Sequence, residues 1–248
     1  MHITRLLLAA GLLAALAVGA SAEDKPKTGF VDKKHKNADG TESPYVVFVP
    51  KDYDGTKEYP VILFLHGAGE TKNPNAKKDG KQPVEVGIGP AIKKRPDFAF
   101  ITVIPRAESF GWGADTANAK RALAMLDTVN KEYKTDAKRQ YLTGLSMGGM
   151  GTWSIAMAHP DRFAAIAPVC GRGDTKTAEK IKNLPCWCFH GDADTSVKVE
   201  GSRDMIDAIK KAGGTPKYTE YPGVGHNSWD KAYGTDELYK WLLDQKKK

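Results

Sequence analysis

Cysteine is scarce in this chain of 248 residues and its count is odd: Cys170, Cys186 and Cys188. Three thiols cannot make a fully paired disulfide framework, so a packed core has to hold the fold. Cys186 and Cys188 stand two apart on an expected strand and share one face, as small core residues would. A bond from Cys170 to Cys188 is the disfavoured alternative, because Cys170 falls at the far end of its own strand. No H-E-x-x-H and no paired C-x-x-C occurs, so metal-assisted hydrolysis lacks a ligand set, and neither metal nor cofactor is expected. Internal repeats and low-complexity blocks are missing too. The 37 Lys and Arg exceed the 30 Asp and Glu for a formal charge of +7. Those lysines are scattered among acids, apart from Lys246-Lys247-Lys248, and form no basic stripe interleaved with aromatics. Nucleic acid is therefore not an expected partner. The surface reads as solvated and mildly basic, with some attraction to anionic polymers.

Only one apolar run is long enough to consider for a membrane, and it lies at the start. His2 and Arg5 precede an unbroken Leu, Ala, Gly and Val stretch from Leu6 to Val18, then Ala20-Ser21-Ala22, then charge from Glu23. This is the pattern of a secretory signal peptide cut after Ala22. The run is shorter than the ~20 residues a spanning helix needs. Residues 1–22 are thus expected to leave, and 23–248 to form one catalytic domain, secreted or periplasmic, with no stable membrane anchor.

Strand-like and helix-like stretches then alternate. Tyr45 to Val49 follows a turn at Asn37-Ala38-Asp39-Gly40, which predicts an N-terminal antiparallel hairpin. Val61 to Leu65 and Phe98 to Ile104 are continuous apolar runs, the mark of strands buried on both faces. Residues 116–133 carry Ala119, Leu123, Leu126, Val129 and Tyr133 at helical spacing. Gln140 to Thr143, Phe163 to Val169, Pro185 to Phe189 and Lys217 to Tyr221 read as strands. Helices are expected from Trp153 towards His159-Pro160, from Val199 to Ala212 before Gly213-Gly214, and over Leu238 to Leu243. Such alternation gives an α/β fold: a mostly parallel sheet with helices on both faces. Ligands then bind beyond the carboxyl ends of the strands, so a catalytic residue should lie just after a strand. Residues 70–97 are the least regular stretch, read either as a flap beside the site or as a mobile surface loop.

Gly144-Leu145-Ser146-Met147-Gly148 is G-x-S-x-G set between a short strand and a helix. A serine on so sharp a turn has strained backbone angles, and the flanking glycines keep other side chains out of its way. The following helix aims its first N–H groups at developing negative charge. Ser146 is the expected nucleophile, and a hydroxyl needs a base. His2 leaves with the leader, His35 belongs to the hairpin, and His159 ends a helix. His66 and His190 end strands before glycine and read as loop-shaping residues. His226, just after the last strand, is the expected base, because the order Ser, acid, His is the one this motif keeps. Between them, His190-Gly191-Asp192-Ala193-Asp194 offers the acid. Asp194 is favoured, Asp192 reads as tying down the turn, and Asp174 is the outside candidate. The oxyanion donors expected are the amides of Met147 and of Ala68, in Leu65-His66-Gly67-Ala68-Gly69, where small residues allow close backbone approach.

These segments, with Phe163-Ala164-Ala165-Ile166-Ala167-Pro168-Val169-Cys170-Gly171, resemble the phospholipase/carboxylesterase and dienelactone-hydrolase-like group of α/β-hydrolases, from about Tyr45 onward. The resemblance implies the α/β-hydrolase fold and ester hydrolysis by a serine triad without a cofactor. Many relatives continue Gly-Ala-Gly-Glu with Arg-Gly where this chain has Thr71-Lys72-Asn73-Pro74, so pocket shape is not carried over. Dienelactone hydrolases proper use cysteine as nucleophile, and Ser146 speaks against that activity.

Trp112, in Gly111-Trp112-Gly113, and Trp229, three after His226, are read evenly as substrate-pocket walls or core anchors. The expected function is a serine carboxylic-ester hydrolase acting on a small or polymer-linked ester. Acylated plant polysaccharide is suggested by export and charge. The competing readings are a prolyl-oligopeptidase-like peptidase, for which the chain lacks room for the usual accessory domain, and a non-catalytic binding protein, from which a triad residue should have been lost.

Overall fold

The computed structural model describes residues 26–72 and 82–248. The expected leader therefore lies outside the described residues, as does the middle of the irregular stretch. Among the described residues, eight strands form one sheet in the order β1-β2-β4-β3-β5-β6-β7-β8. β1 (Gly29–Lys36) and β2 (Glu42–Val49) make the predicted hairpin, and β2 pairs antiparallel with β4 (Ile101–Pro105). The remaining strands, β3 (Tyr59–Leu65), β5 (Thr135–Leu145), β6 (Ala165–Val169), β7 (Trp187–Gly191) and β8 (Lys217–Tyr221), run parallel with their neighbours. This is the α/β-hydrolase fold with antiparallel strands at its start.

β3 shows why the core has two halves. All seven of its residues are buried. Val61, Leu63 and Leu65 enter one apolar cluster, while Ile62 and Phe64 enter the other, as strand alternation requires. The first cluster is covered by α2 (Ala117–Glu132), α3 (Met147–Ala158) and α4 (Glu200–Lys211). The second is covered by α1 (Ile88–Lys93), α5 (Trp229–Gly234) and α6 (Asp236–Asp244). Thr116 caps α2 by accepting from the Ala119 amide, 3.2 Å. α4 stops at Gly213, whose φ of +91° glycine adopts without strain, and the Gly214 amide reaches back to the Ile209 carbonyl.

Three expectations shift. β5 begins at Thr135 rather than Gln140. Its early residues are polar and half exposed, so they carried no apolar signal. β4 begins at Ile101, and Phe98 and Phe100 anchor the approach to it inside the second cluster. From Pro83 on, the stretch expected as a flap or loose loop is a short 3-10 turn followed by α1, whose Ile88, Ala91 and Ile92 are buried. Cys186 and Cys188 do share a face in the first cluster, but Cys170 lies in the second, across the sheet, so the Cys170–Cys188 bond is excluded and all three thiols are free. No helix among the described residues is long and apolar enough to cross a membrane. The sheet's edge strands carry charge, with Asp32, Lys34 and Lys36 exposed on β1 and Lys217 on β8.

α3 lies hard against the loop after β4. A Cβ on Gly151 would stand 2.3 Å from the Cβ of Trp112. Gly151→Ala should therefore cost about 1–3 kcal/mol, through overpacking with no flexible neighbour to yield. A urea-unfolding midpoint equal to that of the parent protein would contradict this.

Candidate active site

Ser146 occupies the turn between β5 and α3 with φ 54° and ψ −116°, one of two described non-glycine residues at positive φ. Such angles are costly for an L-residue and persist only where the surroundings impose them. Here the imposition is contact between backbones. A Cβ on Gly148 would lie 2.0 Å from the Leu65 carbonyl oxygen, and one on Gly144 would lie 2.5 Å from the Gly148 oxygen. The Ser146 amide donates to the Val169 carbonyl at the end of β6, 3.0 Å. The hydroxyl is thereby presented at the carboxyl edge of the sheet.

Two further loops meet it there. His226, in the loop after β8, has Nε2 2.9 Å from Ser146 Oγ and Nδ1 2.7 Å from Asp194 Oδ2. A carboxylate accepts, so Nδ1 carries the proton and Nε2 is left to receive the serine's hydrogen bond. The acid and imidazole loops close on each other because Gly191 has no side chain. A Cβ there would meet the Val224 oxygen at 2.1 Å. The Ala193 amide bonds that same oxygen at 3.1 Å.

Asp194 is buried, and its other oxygen accepts from the Ser196 and Val197 amides at 2.8 and 2.9 Å. Burial pushes its carboxyl upward, but the hydrogen bonds from His226, Val197 and Ser196 outweigh that and hold it below the usual carboxylate range. Asp192 accepts from the Gly223 amide at 2.7 Å and ties the two loops. Asp174 accepts from the Lys176 amide at the head of its own 3-10 helix and does not join the cluster.

Sequence reasoning missed the part His190 plays. It is fully buried, with Nδ1 2.7 Å from Ser202 Oγ and Nε2 2.9 Å from the Val197 carbonyl and 3.2 Å from Asp194 Oδ2. Nε2 faces two acceptors and so donates, bracing the acid from behind. The available signal was a histidine four residues before the acid, inside the otherwise apolar Trp187-Cys188-Phe189 strand.

The loop expected to supply an oxyanion amide stands beside the serine. A Cβ on Gly67 would be 3.7 Å from Ser146 Cβ. Ala68 is exposed and begins a 3-10 turn, while the Met147 amide is the first of α3, where helix geometry leaves N–H groups without intrahelical partners. Trp112 corrects the pocket-wall expectation. It is 2 % exposed, and its indole N–H donates to the His66 carbonyl at 3.0 Å, so it has no face to offer a substrate and instead anchors this loop. Trp229 is half-buried and packs edge-on against the His226 ring, centroids 5.3 Å apart. A ligating atom from each of Cys170, Asp194 and His226 lies within 4.8 Å of the other two. The carboxylate and imidazole are already paired, and burial pushes the Cys170 thiol up to about 12, so a cation would have to displace a strong hydrogen bond to bind.

The arrangement joins a buried carboxylate, an imidazole with one free lone pair and a hydroxyl at a helix N-terminus. It can remove a proton from the hydroxyl and hold the resulting imidazolium. The family model described as "Putative esterase" matches residues 37–242. The chain belongs to this family. Similar proteins include a "Probable feruloyl esterase C" of Aspergillus terreus, 24 % identical over 72 % of this chain and 64 % of that protein. The "Bifunctional acetylxylan esterase/xylanase XynS20E" of Neocallimastix patriciarum is 28 % identical over 54 % of this chain and 19 % of its own length. Among solved structures, that of a thermostable esterase is 33 % identical with a TM-score of 0.73, covering 88 % of this chain and 63 % of the other. The chain thus spans just under two thirds of the Aspergillus protein and of the thermostable esterase, 64 % and 63 %.

His66 gives the site a pH signature. Burial lowers its pKa from 6.5 to about 4, and Nε2 accepts from the Ala107 amide at 2.9 Å. The unfolded chain binds this proton more readily, so the contribution is complete above about 6.5 and is lost as pH falls towards 4. The loss should approach about 3 kcal/mol. His66→Gln should show a shallower fall in unfolding free energy between pH 7 and pH 4.5 than the parent; parallel curves would contradict the assignment.

Proposed function

We propose that the protein hydrolyses carboxylic esters through a covalent acyl-enzyme on Ser146, with acylated plant polysaccharide as its substrate class. The observation that carries this is the unbroken line from Asp194 Oδ2 through His226 to Ser146 Oγ, with steps of 2.7 and 2.9 Å. His226 Nε2 takes the hydroxyl proton as Oγ attacks the ester carbonyl carbon. The carbonyl electrons move onto oxygen, where the Met147 and Ala68 amides receive the charge. Imidazolium, steadied by Asp194, then returns the proton to the leaving alcohol as the C–O bond breaks. Water repeats the sequence against the acyl-enzyme and frees the acid. Apart from that water, the ester is met in these steps by side chains and amides of the chain. A positioned base is worth about 10²–10⁴ in rate and one oxyanion donor about 10²–10³.

The relatives' names support the substrate class: they are feruloyl esterases and an acetylxylan esterase that is also a xylanase. A leader over residues 1–22 would deliver the enzyme to that material outside the cell. Trp229, against the His226 ring, is the proposed wall on the base's side of the pocket.

Ser146→Ala should lower turnover of p-nitrophenyl acetate and methyl ferulate by about 10⁵–10⁶, and Asp194→Asn by about 10³–10⁴. Residual activity near the parent level in Ser146→Ala would refute the mechanism. Cleavage of a peptide anilide without ester turnover would favour a peptidase, and binding without turnover a non-catalytic protein. Expressed with its leader in a secreting host, the protein should appear outside the cytoplasm with Glu23 as its first residue, as read by N-terminal sequencing. Retention with Met1 would contradict export.

A further inference from the structure

His190 is a buried titratable group that the proposed mechanism leaves unused. It has no exposed surface and stands near the end of β7, four residues before the acid. Its Nε2 lies 2.9 Å from the Val197 carbonyl and 3.2 Å from Asp194 Oδ2. Both are acceptors, so Nε2 carries a hydrogen and divides it between them. The Val197 peptide completes the circuit, since its amide donates to Asp194 Oδ1 at 2.9 Å. Behind the ring, Nδ1 meets the Ser202 hydroxyl at 2.7 Å. That hydroxyl oxygen lies 3.1 Å from the Gly171 carbonyl and accepts from the Cys188 thiol at 3.3 Å. An imidazole turned over would set ring carbons against Ser202, Val197 and Asp194 alike. Its orientation is therefore fixed from both sides.

The feature that matters is which oxygen of the acid this ring meets. Asp194 Oδ2 takes His226 Nδ1 at 2.7 Å and His190 Nε2 at 3.2 Å, while Oδ1 takes the Ser196 and Val197 amides. A donor on an ionised carboxylate draws on its charge, so two donors on one oxygen compete for it. Charge that His190 takes up no longer stabilises His226 as imidazolium. The other groups around His190 are engaged or neutral. Glu220 stands beside it in register across β7 and β8, but Arg203 of α4 and the Tyr218 hydroxyl bond its carboxylate at 2.6 and 2.7 Å. Asp192, in the acid's own loop, accepts from the Gly223 amide. Burial pushes the thiols of Cys188 on β7 and Cys170 after β6 up to about 12, so both are uncharged near neutral pH. Asp194 is the anion that His190 touches.

We propose that His190 is a positioning residue that takes up part of the charge on Asp194 Oδ2 and thereby lowers the pH at which His226 is free to act as base. No proton leaves His190. Asp194 stays ionised throughout, and the ring contributes one shared hydrogen bond. The proposal rests on the triad mechanism given above. It places the effect of His190 on the acid limb of the reaction, where His226 passes from imidazolium to imidazole.

The test is the pH profile of kcat/KM for methyl ferulate, which reports the ionisations of the free enzyme. His190→Met keeps an apolar side chain of similar length and removes the donor. Its plateau should fall about tenfold through a looser acid, and its acid limb should move to higher pH, adding a further loss of about threefold at low pH. His190→Gln, whose amide can donate to the same oxygen, should return the limb towards the parent position. A limb that stays in place or moves to lower pH in His190→Met marks a purely structural histidine and overturns the proposal. Should His190→Met fail to fold, NMR of isotopically labelled histidine nitrogens in the parent protein decides. Nε2 of His190 should bear a hydrogen across the active pH range and change its resonance in Asp194→Asn. A bare Nε2, or a resonance unmoved in Asp194→Asn, overturns the proposal. If Ser146→Ala leaves turnover intact, the triad mechanism falls while the NMR result stands.

Discussion

The carbonyl oxygen of Leu65 lies so close to the start of α3 that residue 148 can have no side chain, since a Cβ there would approach to 2.0 Å. This contact between the end of β3 and the first turn of a helix fixes the site's geometry. It sets the helix directly on the sheet edge, forces Ser146 to positive φ and brings the Gly67 loop alongside the serine. Backbone strain of this kind costs of order 1–3 kcal/mol and has to be imposed by what surrounds it. β3, buried along its whole length between two apolar clusters, is the part able to impose it.

Around that contact the polar groups are arranged so that each holds the next. Trp112 fixes the His66 carbonyl, and His66 receives the Ala107 amide, so the loop beside the serine is tied to the neighbouring strand's loop. On the other side, Ser196, Val197 and His190 satisfy Asp194, which leaves it one strong remaining task towards His226. A buried carboxylate with this many donors stays ionised and keeps its orientation. The imidazole is then held to the acid through Nδ1, with Nε2 facing the serine hydroxyl.

The order of the candidate residues along the chain was legible in the sequence. Motif context located Ser146, and chain order pointed to Asp194 and His226, because each follows a strand that ends at one edge. The fold class followed from apolar runs such as Val61 to Leu65. Other features were hidden for physical reasons. The start of β5 is polar, because it extends to a part of the sheet that solvent reaches. α1 is six residues long and sits among Lys, Pro and Gly, too short for periodicity to show. For Trp112 and Trp229, only tertiary packing decides that one is enclosed and the other half open. His190 looked like a loop residue because its partners, Ser202 and Asp194, lie ahead in the chain across a turn and a helix.

The edges of the sheet bear on how the protein behaves in company. β1 presents Asp32, Lys34 and Lys36 to solvent, and β8 begins with an exposed lysine and carries Glu220, which Arg203 engages at 2.6 Å. Among the described residues the sheet of eight strands ends in β1 and β8, and the margin of a sheet is a template onto which another extended chain could zip. Charge at both margins makes such zippering pay a desolvation and repulsion cost. Concentrated solutions of the protein should therefore leave molecules separate instead of nucleating insoluble aggregates.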